Sequence, residues 1–256
     1  MQDNQAINKA RALYYNLFAN FFVYSKESQN YFELVNLVNV LKQSALDASS
    51  QTALDEISKL LDPSSNVALL QEFDDLFHNP LNKKIRQTAS FYDEGVESGK
   101  KRVEMIQFLG KTKIRRDEKQ YHEYEDSVGF IFSVMAELTD LVSSGEKVYE
   151  NTVHCIFDQI LNDFIDEFAK DIYENKNSKI YKELMVVLHS FVAFERLYLE
   201  VSKPVKKEKV QKEAPCEVIS DEELERRAKN KALKALGPKK KEDEKEPEIM
   251  DYVEEV

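Results

Sequence analysis

Glu123, Asp126, Phe130, Ser133 and Glu137 recur at steps of three and four in the segment EYEDSVGFIFSVMAEL. On a helix those steps form one line, on the side opposite Tyr124 and Val128. Carboxylates in such a line accept the fork of a guanidinium, and a ring among them offers its face to a cation or an apolar side chain. Upstream, EFDDLFHNP carries Phe73, Leu76 and Phe77 before Pro80, and SFYDEG carries Phe91 and Tyr92 in a segment that reads as irregular. Together these suit a surface that holds an apolar, cationic peptide. Each part also has a plainer reading. The acidic line fits a solvated outer face or a face packed on another helix, and Leu76–Phe77 fits a core plug. Phe91 and Tyr92 are harder to absorb, because adjacent aromatics in an irregular segment rarely both point inward.

Other chemistry does not assemble. His78, His122, His154 and His189 are scattered. His154 and Cys155 adjoin Val153, Ile156 and Phe157, and neighbours on a helix diverge by about 100°. A half-buried core pair is the expectation there, not a four-ligand metal site. No Gly-rich phosphate loop follows a strand, no nucleophile sits in an elbow with partners, and paired carboxylates are too common in this chain to be informative. Arg115–Arg116 reads as an exposed helix entry. No catalytic residue, metal or cofactor is expected, and the chain reads as a binding protein and not an enzyme.

The elements that must carry the surface are helical. Gly and Pro number six each in 256 residues, and only Pro63 and Pro80 precede residue 204. Sheet-rich domains need far more turn residues. Apolar positions step by three and four through Ile7–Tyr24, Leu34–Leu41, Tyr121–Val142, Val153–Phe168 and Leu184–Tyr198. The expectation is an all-α fold, a single bundle of roughly eight to ten helices over residues 1–200. The helix with the cleanest periodicity should run from Asp117 to Ser143, and another from about 96 to 109.

Net charge is −11, and residues 201–256 hold 14 Lys and Arg against 15 Asp and Glu, so the first 200 residues carry −10. Such a body repels nucleic acid and anionic membrane and attracts cationic partners, besides being soluble. Two cysteines in unlike contexts give no disulfide framework, no stretch is apolar enough to span a bilayer, and MQDNQAINKA lacks the features of a signal peptide, so a cytoplasmic location is expected. Beyond Val201 the composition changes. Residues 201–219 read as a flexible linker, 220–237 as an isolated helix with a Ser220–Glu223 capping box and a Gly237–Pro238 stop, and 238–256 as a disordered charged tail.

The order of ARALYYNLFANFF, EFDDLFHNP, SFYDEG and EYEDSVGFIFSVMAEL in an all-helical body resembles the TorD/DmsD family, which includes the more distant NarJ-type proteins. These are cytoplasmic chaperones for redox enzymes, mostly molybdenum enzymes, exported by the twin-arginine pathway. The resemblance covers roughly residues 5–200. It implies a leader-binding region at Phe73, Leu76, Phe77, Pro80, Phe91, Tyr92 and Asp126, with Ser127 where the family often has His. It implies as partner the precursor of an exported redox enzyme with its twin-arginine signal peptide, and a monomer or a domain-swapped dimer. From the residues alone, a helical adaptor whose partner binds the charged C-terminal tail stays open beside it.

Overall fold

A computed structural model of the chain describes residues 2–24, 27–81, 84–119 and 121–204. The chain divides into a unit Met1–Val205 and a unit Lys206–Val256, and the described residues all belong to the first. The helix expected over 220–237 and the charged end lie outside the described residues.

The described unit is all-α. Ten α-helices succeed one another: α1 Gln2–Phe22, α2 Ser28–Leu41, α3 Ala48–Leu60, α4 Val67–Phe77, α5 Ala89–Glu94, α6 Lys100–Gly110, α7 Val128–Ser143, α8 Glu150–Ile156, α9 Asn162–Tyr173 and α10 Ile180–Tyr198. The π-helical turn Phe157–Leu161 joins α8 to α9 without a break. Such a turn leaves backbone carbonyls partly free. Lys101 of α6 answers it, donating from Nζ to the Gln159 carbonyl at 2.5 Å and to Asp163 at 2.6 Å.

α1 and α7 form the centre. Tyr14, Tyr15, Leu17, Phe18, Phe21 and Phe22 of α1 are buried, and so are Val128, Ile131, Phe132, Met135 and Leu138 of α7. Each large side chain so placed stabilises by about 1.5–3 kcal/mol. The rings interlock: Phe18 lies 5.2 Å from Phe132, Phe22 5.2 Å from Phe168 and Tyr15 4.8 Å from Phe191 of α10. α10 packs in turn on α3 and α9.

Two buried polar contacts fix the bundle's register. Arg11 grips Glu195 with both prongs at 2.6 and 2.7 Å, and Tyr15 donates to the same carboxylate at 2.6 Å. Glu72 of α4 accepts from the amides of Lys179, Ile180 and Tyr181 at 2.7, 3.0 and 2.9 Å, capping α10 from another helix. Val201 is buried, Asn162 donates to the Ser202 carbonyl at 2.9 Å and Lys203 meets Asp166 at 2.9 Å. Residues 201–204 therefore belong to the body, not to the linker expected from residue 201.

One expected helix begins eleven residues late. Helix α7 starts at Val128, and Asp117–Ser127 is irregular. The cause is non-local. The Val128 amide donates to the Gln87 carbonyl at 2.8 Å and the Ala89 amide to the Asp126 carbonyl at 2.9 Å, with a bridge between Thr88 and Ser127. These bonds take backbone groups that a helix through Asp126 would use itself.

Gly129 sets how closely α7 meets α1. A Cβ there would lie 2.8 Å from the Phe22 carbonyl oxygen and 3.2 Å from the Tyr121 hydroxyl. Backbone cannot swing aside as a flexible side chain can. Gly129→Ala should therefore destabilise by about 1–3 kcal/mol, the usual cost of overpacking, despite Ala's better helix propensity. Denaturant unfolding checks this; unchanged or raised stability would show that the α1–α7 approach is slack.

Candidate functional site

The structure separates the residues singled out in the sequence. Leu76 and Phe77 are wholly inside, at 0% exposure, and Phe73 is buried beside them. Phe77 packs 6.3 Å from Phe22 and 5.8 Å from Tyr181. They are core residues, not a groove floor. Pro80 is exposed. Phe91 and Tyr92 are not in a loop but on the short helix α5. Tyr92 is buried, donates to the Arg86 carbonyl at 3.2 Å and packs at a tilt on Phe164, with ring centres 5.6 Å apart. Phe91 is half-buried under the Arg86 guanidinium, 5.3 Å from its ring.

The acidic line dissolves as well, because Glu123 and Asp126 precede α7. Asp126 is 0% exposed. One oxygen accepts from the Ser90 amide at 2.9 Å, and the other has no partner. Asp126 is thus an interior cap on α5, not an exposed receptor. Burial pushes its carboxyl above the ordinary value of 3.8, and the Ser90 hydrogen bonds only partly oppose that. Phe130 is buried against Tyr121, with ring centres 5.4 Å apart. Glu137 alone of the line's acids is on the solvent face of α7.

Glu125, off the expected line, is buried and doubly paired. Arg102 Nε donates to it at 2.7 Å and Arg116 Nε at 2.8 Å. Burial pushes this carboxyl up, but the two arginines win and hold it below the usual range. Arg116 is therefore turned inward and not part of an exposed helix entry. Arg102 also lies 4.3 Å over the Tyr124 ring.

Glu123 differs from both. It is half-buried, and no Lys or Arg among the described residues lies within ion-pair distance. Tyr121 donates to it at 3.2 Å, and the Ser127 hydroxyl lies 2.8 Å from the Tyr121 oxygen. Tyr121 has a single proton, so Ser127 donates in turn, giving a relay Ser127 to Tyr121 to Glu123. Burial raises the Glu123 carboxyl above its ordinary value, more than these hydrogen bonds and the nearby His78 and Lys84 lower it. The neighbourhood is aromatic. Tyr24 lies 5.1 Å from Phe73 and 5.7 Å from His78, and His78 lies 5.3 Å from Phe73 and 2.9 Å from Asp74. The α1 C-terminus ends here too, since the Gly129 contact sets the Phe22 carbonyl beside the Tyr121 hydroxyl. A helix C-terminus favours a cation. A covered carboxylate, a negative helix end and a group of rings can together bind a guanidinium followed by an apolar chain. Tyr24, His78 and Tyr121 were missed as site residues. His78 beside Pro80 was the one available signal, since a ring at a helix end cannot be buried by its own helix.

The family model for the nitrate reductase delta subunit matches residues 43–170, half of the chain. The chain belongs to the nitrate reductase delta subunit family. This is the TorD/NarJ-type group of chaperones that mature redox enzymes. No curated protein matches the chain. A crystal structure of a proposed redox enzyme maturation protein from Archaeoglobus fulgidus is similar at a TM-score of 0.47 and 18% identity, over 72% of this chain and 93% of that one. Among the described residues of this family member, no helix is long and apolar enough to cross a membrane, and no three His, Cys, Asp or Glu side chains group as metal ligands.

Asp126 makes a sharp pH test. Below the ordinary value of 3.8 the folded and unfolded chains both carry its proton, and there is no penalty. As pH rises, the unfolded chain releases the proton first, and the fold loses stability until pH passes the raised folded value. Asparagine does not titrate. The stability of Asp126→Asn relative to wild type should therefore improve as pH rises from about 4 toward neutral. Urea unfolding across that range reads it, and a difference flat with pH would contradict the buried placement.

Proposed function

We propose that this chain is a cytoplasmic chaperone that binds the twin-arginine leader, and with it the apo form, of an exported molybdenum redox enzyme. It holds the precursor until cofactor insertion and then releases it for export, with no covalent step. Family membership supports the class of client, and the observation that carries the binding mode is Glu123. A half-buried carboxylate without an ion-pair partner is costly, and a guanidinium brought by a ligand relieves that cost. The apolar run behind the arginines would lie across Tyr24, His78 and the loop at Pro80 and Leu81, whose side chain is 91% exposed. The −10 body adds long-range attraction for a positive peptide.

Titration of the full chain with a synthetic twin-arginine leader peptide tests the reading. Glu123→Gln should weaken binding by about 1–3 kcal/mol, since a charge-assisted hydrogen bond becomes a neutral one. The melting temperature should hold or rise, because burial already disfavours the charge. Wild-type binding should strengthen with pH as Glu123 ionises and weaken with salt, whose screening length is about 10 Å at 0.1 M. A chain ending at Val205 should bind as the full chain does. Loss of binding on that truncation would favour an adaptor working through its C-terminal tail, and equal binding by Glu123→Gln would remove Glu123 from the site.

A further inference from the structure

We propose that the site reads one arginine of the leader pair through Glu123 and that, among the described residues, no second covered carboxylate without a partner stands ready for the other. This rests on the leader-binding reading above and adds an asymmetry to it. Among the described residues, four other acids near this end have some cover: Glu125, Asp126, Asp74 and Asp75, the last accepting from the Asn79 side chain at 3.0 Å. Glu125 has both oxygens engaged, by Arg102 at 2.7 Å and Arg116 at 2.8 Å, and the Arg116 side chain is only 9% exposed. An incoming guanidinium would have to eject one of the chain's own. Asp126 is sealed, with one oxygen on the Ser90 amide and no surface for the other. Asp74 faces His78 at 2.9 Å and is half in water. Of these acids, all among the described residues, Glu123 combines partial cover, no ion-pair partner and open access.

The surroundings of Glu123 suit a guanidinium better than an ammonium. The Tyr121 hydroxyl donates to one carboxylate oxygen at 3.2 Å and leaves the other oxygen for a ligand. A planar fork with five donors can address that carboxylate with two parallel bonds while a ring lies on its face. Among the described acids near Glu123, the second arginine would find a solvated one such as Asp74, whose side chain is 46% exposed. Exposed pairs of that kind contribute about 0–1 kcal/mol.

The experiment uses the full chain and three leader peptides: the twin-arginine sequence and its two single Arg→Gln versions. Isothermal titration should show one single replacement lowering affinity about tenfold or more, and the other by less than about twofold. Glu123→Gln should bind the two single-Gln peptides alike, and Tyr121→Phe should narrow their difference while keeping the fold, as thermal melts would verify. Equal losses for the two replacements on wild type would overturn the asymmetry while leaving leader binding intact. An asymmetry that persists undiminished in Glu123→Gln would assign the arginine to another group. Absence of any binding by the parent leader would overturn the functional reading and this inference with it.

Discussion

The approach of two backbones at Gly129 is the constraint on which the rest depends. α1 and α7 share the largest rings of the core, and they can do so only because no side chain separates α7 from the Phe22 carbonyl. The same contact delivers the C-terminal end of α1 to the irregular segment before α7. Tyr121 and Glu123 ride on that segment, and the Gln87–Val128 and Ala89–Asp126 hydrogen bonds hold it in place. Packing in the centre thus sets the geometry of a site at the edge.

The acidity of the chain is mostly spent on architecture. Glu72 caps α10, Glu195 anchors Arg11, Asp126 caps α5 and Glu125 binds two arginines. Buried charges without partners are rare because desolvation is expensive. Glu123 stands out against that background as a half-buried carboxylate to which the described part of the chain brings a hydrogen bond but no cation within ion-pair distance. Its charge is supportable while water reaches it, and it gains from a positive ligand that displaces that water.

Much of the fold was legible. Scarce Gly and Pro, with three-four stripes such as Leu184–Tyr198, pointed to the bundle, and helix ends fell within a few residues where caps or breakers marked them, as at Asp62–Pro63. The segment 117–127 was not legible, because Tyr121 and Tyr124 continue the α7 period by coincidence while distant backbone groups decide the conformation. That single misreading put Glu123 and Asp126 on one helix face, when one is half-open and the other sealed. Leu76 and Phe77 show a different limit. An apolar pair at a helix end reads alike as groove or core, and only the arrangement of Phe22, Phe168 and Tyr181 around it decides.

Seating of a leader arginine at Glu123 is the central claim. The most direct measurement is photo-crosslinking of a twin-arginine leader carrying a photoreactive group next to the arginine pair, with the joined residues identified by mass spectrometry. Crosslinks should fall on Tyr24, His78 and Tyr121, be competed away by unlabelled leader and diminish in Glu123→Gln. Crosslinks confined to the groove between α9 and α10 around Tyr173 and His189 would contradict the claim.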